Sequence, residues 1–369
     1  MKKMAVLVFL LLLVIYAVRV ASRTPERLRR SVFCACWLYG IASVGLWLIL
    51  RVTGEQWWPA TVFLFGPRWV WLLPLIPLIV AAVWVRRRAL WILLPTVWVV
   101  LFPVMGFNVP WRLVTLHFQG APCVRVLTCN IHRQSTAALS DVVSVVKPDV
   151  VVIQEWSAQP PAFRPDRGQW YFCTNGELFL ASRYPIRKVV DLSVQTLPDP
   201  GMAVCYELEM PGGNIHFINL RFASPHSQLE DLRWHSPSAY AEVQSNSVLR
   251  AAQFRIISHY ALDLGPATIL AGDFNTPDGS ILFREYCSAF CNGFSVAGWG
   301  FGHTYFAPWE ATRIDNILAG PVWRCRRCWV GPDVGSPHRP LIADWEFIGQ
   351  GNVSGAGIDT NGGTRDNIP

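Results

Sequence analysis

Ala271-Gly272-Asp273-Phe274-Asn275-Thr276-Pro277 follows the short apolar run Pro266-Ala267-Thr268-Ile269-Leu270, which has the length and composition of a buried strand. A carboxylate and a carboxamide therefore leave the strand end two residues apart. Side chains at i and i+2 of an extended segment point to the same side, which predicts a shared edge for Asp273 and Asn275. An acid that takes a proton, beside an amide that holds an oxyanion, is what attack on a phosphate ester requires. Gly, Asp and Asn also favour turns, so an ordinary turn fits these seven residues taken alone. The flanking sequence separates the two readings.

Upstream and downstream, apolar runs of strand length repeatedly end in polar residues. Val124 to Asn130 reads as a strand ending in a carboxamide. Ser140 to Val146 is apolar at helical spacing and stops at Lys147-Pro148-Asp149, where proline cannot continue a helix. The strand Asp149 to Gln154 runs straight into Glu155. Glu177 to Ala181 is a strand followed by the polar turn Ser182-Arg183-Tyr184-Pro185, and Met202 to Glu209 with Asn214 to Leu220 predicts a hairpin around Gly212-Gly213. Val248 to Leu262 has helical periodicity, Arg313 to Leu318 holds Asp315 inside an apolar frame, and His338 sits in a turn before the final strand.

Asn130, Glu155, Asp273, Asn275, Asp315 and His338 thus each follow or interrupt an apolar strand. Alone, a buried Glu after a strand is an ordinary ion-pair partner and a lone His before Arg-Pro is unremarkable. Six such positions in one domain point to a site, because polar groups buried at strand ends cost stability unless they satisfy one another or bind something. Three carboxylates with amides and a histidine suit one hard divalent cation, Mg²⁺ or Mn²⁺.

Asn130, Gln154-Glu155, Ser182-Arg183-Tyr184-Pro185-Ile186, Gly272-Asp273-Phe274-Asn275, Arg313-Ile314-Asp315 and Ser336-Pro337-His338-Arg339-Pro340 occur in an order that resembles the endonuclease/exonuclease/phosphatase superfamily. The resemblance spans about Val124 to Phe347 and rests on order and spacing rather than on one motif. It implies a four-layered α/β sandwich of two packed, mostly antiparallel sheets flanked by helices, and metal-dependent hydrolysis of phosphate esters. It assigns the metal to Glu155 with Asp315 as a further ligand or water-orienting group, and water activation to Asp273. Asn275 then hydrogen-bonds the phosphate, Asn130 supports the metal-binding carboxylate, and His338 stabilises the transition state. Two positions depart from the family pattern. Pro337 stands where the family has an aspartate beside its histidine, and a histidine without that partner loses part of what keeps it protonated. Arg221 replaces a histidine; it can clamp phosphate but cannot give up a proton.

Residues 1–109 read differently. Met4 to Val20, Val32 to Leu50, Thr61 to Val85 (interrupted by Gly66-Pro67-Arg68) and Ala89 to Phe107 are apolar runs approaching the roughly 20 residues that cross a bilayer. They predict three to four transmembrane helices, at 4–20, 32–50, 69–85 and 89–107. The first also fits a signal peptide, but Arg19 makes a poor cleavage site. Trp57, Trp58, Trp69 and Trp71 lie near segment ends, as interfacial aromatics do. The basic stretches Arg19 to Arg30 and Arg86-Arg87-Arg88 place those loops in the cytoplasm and everything after Phe107 outside it, with Lys2 and Lys3 dissenting. A linker over 110–123, a domain over 124–348 and a disordered, Gly/Asn-rich tail over 349–369 complete the predicted organisation.

The net charge of +7 divides into +10 for residues 1–109 (12 Lys+Arg, 2 Asp+Glu) and −3 for residues 110–369 (20 against 23). Basicity therefore belongs to membrane topology and is no evidence for a nucleic-acid surface. Cys325-Arg-Arg-Cys328 lacks the second pair of a zinc site, and it and Cys287/Cys291 read as disulfides or free thiols.

The sequence thus predicts a membrane-anchored phosphoesterase acting on nucleic acid, a phospholipid head group or an inositol phosphate, with Arg133, Arg183 and Arg221 as candidate phosphate-binding arginines. The alternative is an inert member of the fold that binds a phosphorylated ligand or partner. Retained Glu155, Asp273, Asn275, Asp315 and His338 favour the enzyme; Pro337 and Arg221 favour the alternative.

Overall fold

The computed structural model describes residues 25–349 except 112–122, 135, 158–162, 164–167, 194–200, 234–237, 278 and 309. The predicted first span, most of the linker and the tail beyond Gly349 lie outside the described residues.

The N-terminal region consists of α1 (Pro25–Val52), α2 (Trp58–Phe65), α3 (Leu75–Val85) and α4 (Leu90–Val99), joined by short 3₁₀ turns. Among the described residues, three helical stretches are long and apolar enough to cross a membrane: Glu26–Val52, Arg68–Val85 and Arg87–Val104. They overlap the predicted segments 32–50, 69–85 and 89–107. The apolar run that begins at Thr61 is not one helix, because Gly66 ends α2 in an extended conformation and Pro67 follows it. α4 passes into a π turn over Val100–Val104 that contains Pro103; a proline without an N–H loosens the helical ladder at that point.

The rest folds as two six-stranded sheets. The first has the order β13-β14-β1-β2-β4-β3 and the second β5-β6-β7-β8-β12-β9. Their strands are β1 (Cys123–Asn130), β2 (Val150–Gln154), β3 (Tyr171–Asn175), β4 (Leu178–Ser182), β5 (Ile186–Asp191), β6 (Met202–Met210), β7 (Gly213–Arg221), β8 (Ile269–Asp273), β9 (Cys291–Asn292), β12 (Asp315–Ala319), β13 (Trp323–Val330) and β14 (Leu341–Phe347). A ribbon of β10 (Tyr305–Phe306) and β11 (Ala311–Thr312) stands apart. Each large sheet has one parallel pair, β1 with β2 and β7 with β8, amid antiparallel neighbours. The implied four-layered sandwich is therefore observed.

Period-two alternation explains the layers. Val124 and Val126 of β1, Ile269 and Ala271 of β8, and Ile317 and Ala319 of β12 meet in the core between the sheets. Leu127 and Cys129 face outward onto Leu139, Val142 and Val143 of α5 (Ala137–Val146). Leu270 and Leu318 face outward onto Phe254, Ile257 and Ala261 of the long helix α7 (Ala239–Asp263), which follows the short α6 (His226–Arg233). Cys325 and Cys328 are free thiols, both in the inter-sheet core; a bulge between Cys325 and Arg327 turns these two residues, three apart, to the same face. Cys287 and Cys291 are also free.

One end of the helical bundle is fastened to the sandwich. The Glu55 carboxylate, buried in the turn after α1, accepts hydrogen bonds from Arg250 Nη2 of α7 (2.8 Å) and from the Ser280 hydroxyl. Asn108 bridges to Gly300, and its Nδ2 donates to the carbonyls of Phe294 (2.8 Å) and Gly298 (2.6 Å). Trp58 packs on Tyr240 with ring centroids 4.6 Å apart, whereas Trp71 turns inward, its Nε1 donating to Ser43. Trp57 and Trp69 remain exposed near this end.

Candidate active site

Strand direction and register gather the polar strand ends. The parallel pair β1 and β2 sets Asn130 beside Gln154, with Glu155 next in the chain. On the facing sheet Arg221, Asp273 and Asp315 lie in register across β7, β8 and β12. β14 runs antiparallel to β1 and starts near the end of β1, with Leu341 opposite Thr128, so the loop before it delivers His338 to the same rim. Gly272 is required by packing: a Cβ there would lie 2.0 Å from the Leu220 carbonyl oxygen, and its φ is +151°.

A chain of hydrogen bonds joins these groups. Asn130 Nδ2 donates to Glu155 Oε1 and to Asp273 Oδ2, both at 3.0 Å, and so ties the two sheets together. The Asn275 backbone N–H donates to Asp273 Oδ1 (2.9 Å), and its Nδ2 donates to Asp273 Oδ2 (3.1 Å) and to the Phe222 carbonyl (2.8 Å). The segment is a turn, and the turn is what aims the Asp273 carboxylate. Both amide hydrogens of Asn275 are engaged, so it holds Asp273 in place rather than offering a free donor to a phosphate. Glu155 and Asn275 have positive φ, +52° and +46°, strain of the kind that persists where surrounding structure enforces it.

His338 Nδ1 lies 2.9 Å from Asp315 Oδ2. The partner that Pro337 fails to supply therefore comes from β12, and the expected loss of charge stabilisation at His338 does not occur. Burial alone would lower the imidazole pKa, but the charge and hydrogen bond of Asp315, with Asp273 and Glu155 nearby, outweigh it and raise it to about 9. Burial, reinforced by Asp315, raises Asp273 to about 6 against the opposing effects of His338, Asn130 and Asn275. Glu155 moves the other way. Burial would raise it, but the Asn130 amide together with Arg221, His132 and His338 brings it below the ordinary carboxylate range. A base and an acid pushed to opposite sides of neutrality sit side by side.

The carboxylate oxygens here fit a hard divalent cation, beside which a cationic His338 serves as a donor and not as a ligand. Oxygen or nitrogen atoms of Asp273, Asp315 and His338 lie within 4.8 Å of one another. Asp315 Oδ1 is buried without a hydrogen-bond partner, a costly state for a carboxylate oxygen unless something binds it. Glu155 lies outside that triad. It is held by Arg221 Nη2 (2.9 Å to Oε1) and by His132 Nδ1 (3.2 Å to Oε2), so a cation on Glu155 competes with a guanidinium.

A cavity of about 170 Å³ opens over these groups, lined by His132, Glu155, Arg221, Asp273, Asn275 and His338 on its polar side. Arg221 thus reaches the site, as its predicted role requires. Arg183 does not. β4 runs antiparallel to β2, which pairs Ser182 with Val150 at the opposite end of the sheet from Gln154, and the Arg183 guanidinium stacks on Trp170 there. Arg133 is exposed and pairs with Glu177 at the rim.

Other contributors were not singled out from sequence. Ser336 Oγ donates to the Asn130 carbonyl (2.8 Å) and accepts from the His338 N–H (3.1 Å), locking the last motif to the first. Thr304 Oγ1 accepts from the Asp315 N–H (3.1 Å). Asn219 Oδ1 accepts from Gln154 Nε2 (2.7 Å) beneath the site. Tyr305 pairs with His338 as a β-bridge, with rings 5.1 Å apart. The apolar side of the cavity includes Phe65, from α2.

Residues 127–338 match the sequence profile described as the Endonuclease/Exonuclease/phosphatase family. The chain belongs to that family, whose members depend on divalent metals and are usually phosphoester hydrolases. The chain is similar to an endonuclease/exonuclease/phosphatase from Beutenbergia cavernae DSM 12333, at 17% identity over 61% of this chain and 72% of that one, with a TM-score of 0.43. A family protein from Bacteroides thetaiotaomicron is 16% identical over 62% of this chain and 99% of that one, with a TM-score of 0.45. The human Nocturnin catalytic domain with bound sulfate is 16% identical over 61% and 94%, with a TM-score of 0.45. No curated protein matches the chain in sequence.

Proposed function

We propose that the protein is a membrane-anchored, divalent-metal-dependent phosphoesterase of phosphodiesterase or endonuclease type. The observation that carries this reading is the buried group of Asp273, Asp315 and His338, with Asn130 joining Asp273 to Glu155 at the floor of a cavity.

Asp273 accepts the proton of the attacking water, for which a carboxyl raised to about 6 is suited near neutrality. Asn130 and Asn275 fix its rotamer, so the base needs no reorientation. His338, kept cationic by Asp315, donates to a phosphoryl oxygen as negative charge builds there. Arg221 adds a permanent positive charge beside the phosphate. As the water oxygen bonds to phosphorus the ester P–O bond breaks, and the departing alkoxide takes its proton from solvent. Glu155 and Asp315 would hold Mg²⁺ or Mn²⁺, which when bound polarises the phosphoryl group and neutralises developing charge.

The domain is read as extracytoplasmic. Residues near Glu55 and Asn108 contact the sandwich, while Arg27 to Arg30 and Arg86 to Arg88 lie at the other ends of the spans. Reporter fusions after Asn108 test this; a cytoplasmic signal there overturns it.

One observation favours the second reading, an inert member that binds a phosphorylated ligand: Arg221 lies on the carboxylate that a cation needs. The full chain in nanodiscs, assayed with bis(p-nitrophenyl) phosphate and Mg²⁺ or Mn²⁺, separates the two. Turnover that falls by roughly 10²–10⁴ in both Asp273→Ala and Glu155→Ala supports the enzyme. A protein that binds Mn²⁺ and turns over no faster than buffer overturns it.

A further inference from the structure

The cavity has two unlike sides, and the apolar one is partly built by the anchor. Phe65, Leu229, Tyr305 and Ile314 line the cavity together with Glu155, Arg221, Asp273 and His338. Leu46 and Leu50 of α1, Leu64 and Phe65 of α2, Val104 beyond α4 and Ile314 beside β12 form one apolar cluster, with Leu229 and Tyr305 packed against it. Phe65 closes α2, and the next membrane-length helical stretch begins only three residues later, at Arg68. On the proposed membrane anchoring, the cavity wall therefore stands near the level where the chain enters the bilayer. Trp57, Phe63, Trp69 and Val70, all exposed, flank Phe65 in the chain, in the manner of side chains that seat at a membrane interface.

We infer that the substrate is a phosphate ester carried by a membrane lipid, its phosphoryl group among Glu155, Asp273 and His338 and its apolar portion against Phe65, Leu229 and Ile314. This rests on the phosphoesterase reading and narrows it to a substrate class.

Three further observations favour a lipid over a nucleic acid. The cavity, about 170 Å³, is smaller than the several hundred Å³ typical of sites that enclose a drug-sized ligand, and it suits a head group rather than stacked bases. Glu310 lines the cavity, and Glu230 follows the lining residue Leu229, so acidic groups flank its apolar residues and oppose a chain of phosphates there. Residues 110–369 carry a net charge of −3, the wrong sign for a surface that gathers a phosphate backbone. Membrane attachment would bring the cavity to its substrate without any such field.

The test uses the full chain reconstituted with Mn²⁺ in vesicles of phosphatidylcholine and phosphatidylglycerol. Hydrolysis of the vesicle lipid is compared with that of its water-soluble deacylated head group, a single-stranded oligonucleotide and bis(p-nitrophenyl) phosphate. The expected result is a kcat/KM at least tenfold higher for the vesicle lipid than for the head group or the oligonucleotide. Phe65→Ser lowers that preference at least tenfold, and Phe65→Leu restores it. Preference for the oligonucleotide or the soluble head group overturns the inference and leaves the phosphoesterase reading standing. Hydrolysis of nothing, the chromogenic ester included, overturns both. A second readout needs no turnover. The Asp273→Asn chain in nanodiscs containing a diazirine-bearing phosphatidylglycerol is expected to crosslink at residues 60–65 or 225–229, and labelling confined to the spanning helices overturns the inference.

Discussion

Replacing Glu55 by Gln should loosen the joint between anchor and sandwich more than any other single change at that surface. Glu55 and Arg250 are 2% and 0% exposed, 2.8 Å apart, and Arg250 is further held by Asn246 Oδ1 and lies over the Phe65 ring, 5.3 Å from its centroid. Burial lowers the Arg250 pKa, an effect that the Glu55 charge and hydrogen bond partly offset. Removing one member of a fully buried pair leaves an uncompensated charge and costs about 3–5 kcal/mol. That corresponds to an opening of the joint favoured by roughly 10²–10³-fold or more. Hydrogen exchange in nanodiscs reads it directly. The Ala60 and Thr61 amides, which donate to the Trp57 carbonyl, and the Gly66 amide, which donates to Val62, should lose protection by that factor. Arg250→Met should cost a similar amount, while the Glu55→Gln/Arg250→Met pair should cost far less than the sum, because the double variant buries no charge. Protection that changes less than threefold in the single variants, or costs that simply add, would refute the reasoning.

Arg221→Gln removes the guanidinium that competes for Glu155, so Mn²⁺ should bind about tenfold more tightly by calorimetry while turnover falls; unchanged affinity would show that the pair does not oppose the metal. His338 has a folded pKa of about 9 against 6.5 for the free side chain, so its stabilisation is complete below about pH 6.5 and is lost as pH rises through about 9. In EDTA the wild-type thermal midpoint should fall across that window, by an amount on the order of 3 kcal/mol in stability, and His338→Gln should abolish the fall. Gly272→Ala places a methyl group 2.0 Å from the Leu220 carbonyl. It should cost more than about 4 kcal/mol or prevent folding, read as loss of the cooperative unfolding transition.

Asn130, Glu155, Asp273, Asp315 and His338 were legible because each interrupts an apolar strand, and a polar group at such a place must be satisfied by something. The layers were legible for the same reason, through alternation. Arg183 misled because sequence gives the end of a strand but not its direction; β4 returns antiparallel to β2 and carries Arg183 to the far rim. The strands β5 and β13 passed unnoticed because edge strands partly exposed to water mix charged and apolar residues, as Arg187-Lys188 and Arg326-Arg327 do, and the edge strand β3 is short and only half-buried. The N-terminal half of α7 likewise lacks an apolar stripe. The rescue of His338 by Asp315, and the arrival of Phe65 at a site assembled from residues 130–338, depend on contacts between distant segments that leave no local trace.

The buried clamp between Glu55 and Arg250 has a kinetic meaning. A catalytic domain on a slack tether sweeps a volume of water and meets its substrate at a rate set by bulk concentration. A domain bolted to a bundle that sits in the membrane, as proposed, has no such reach, and its encounter with a substrate in that membrane is a collision in two dimensions. For an enzyme so mounted, doubling the mole fraction of substrate in the surface should double the rate, whereas doubling the number of vesicles at fixed composition should leave it alone.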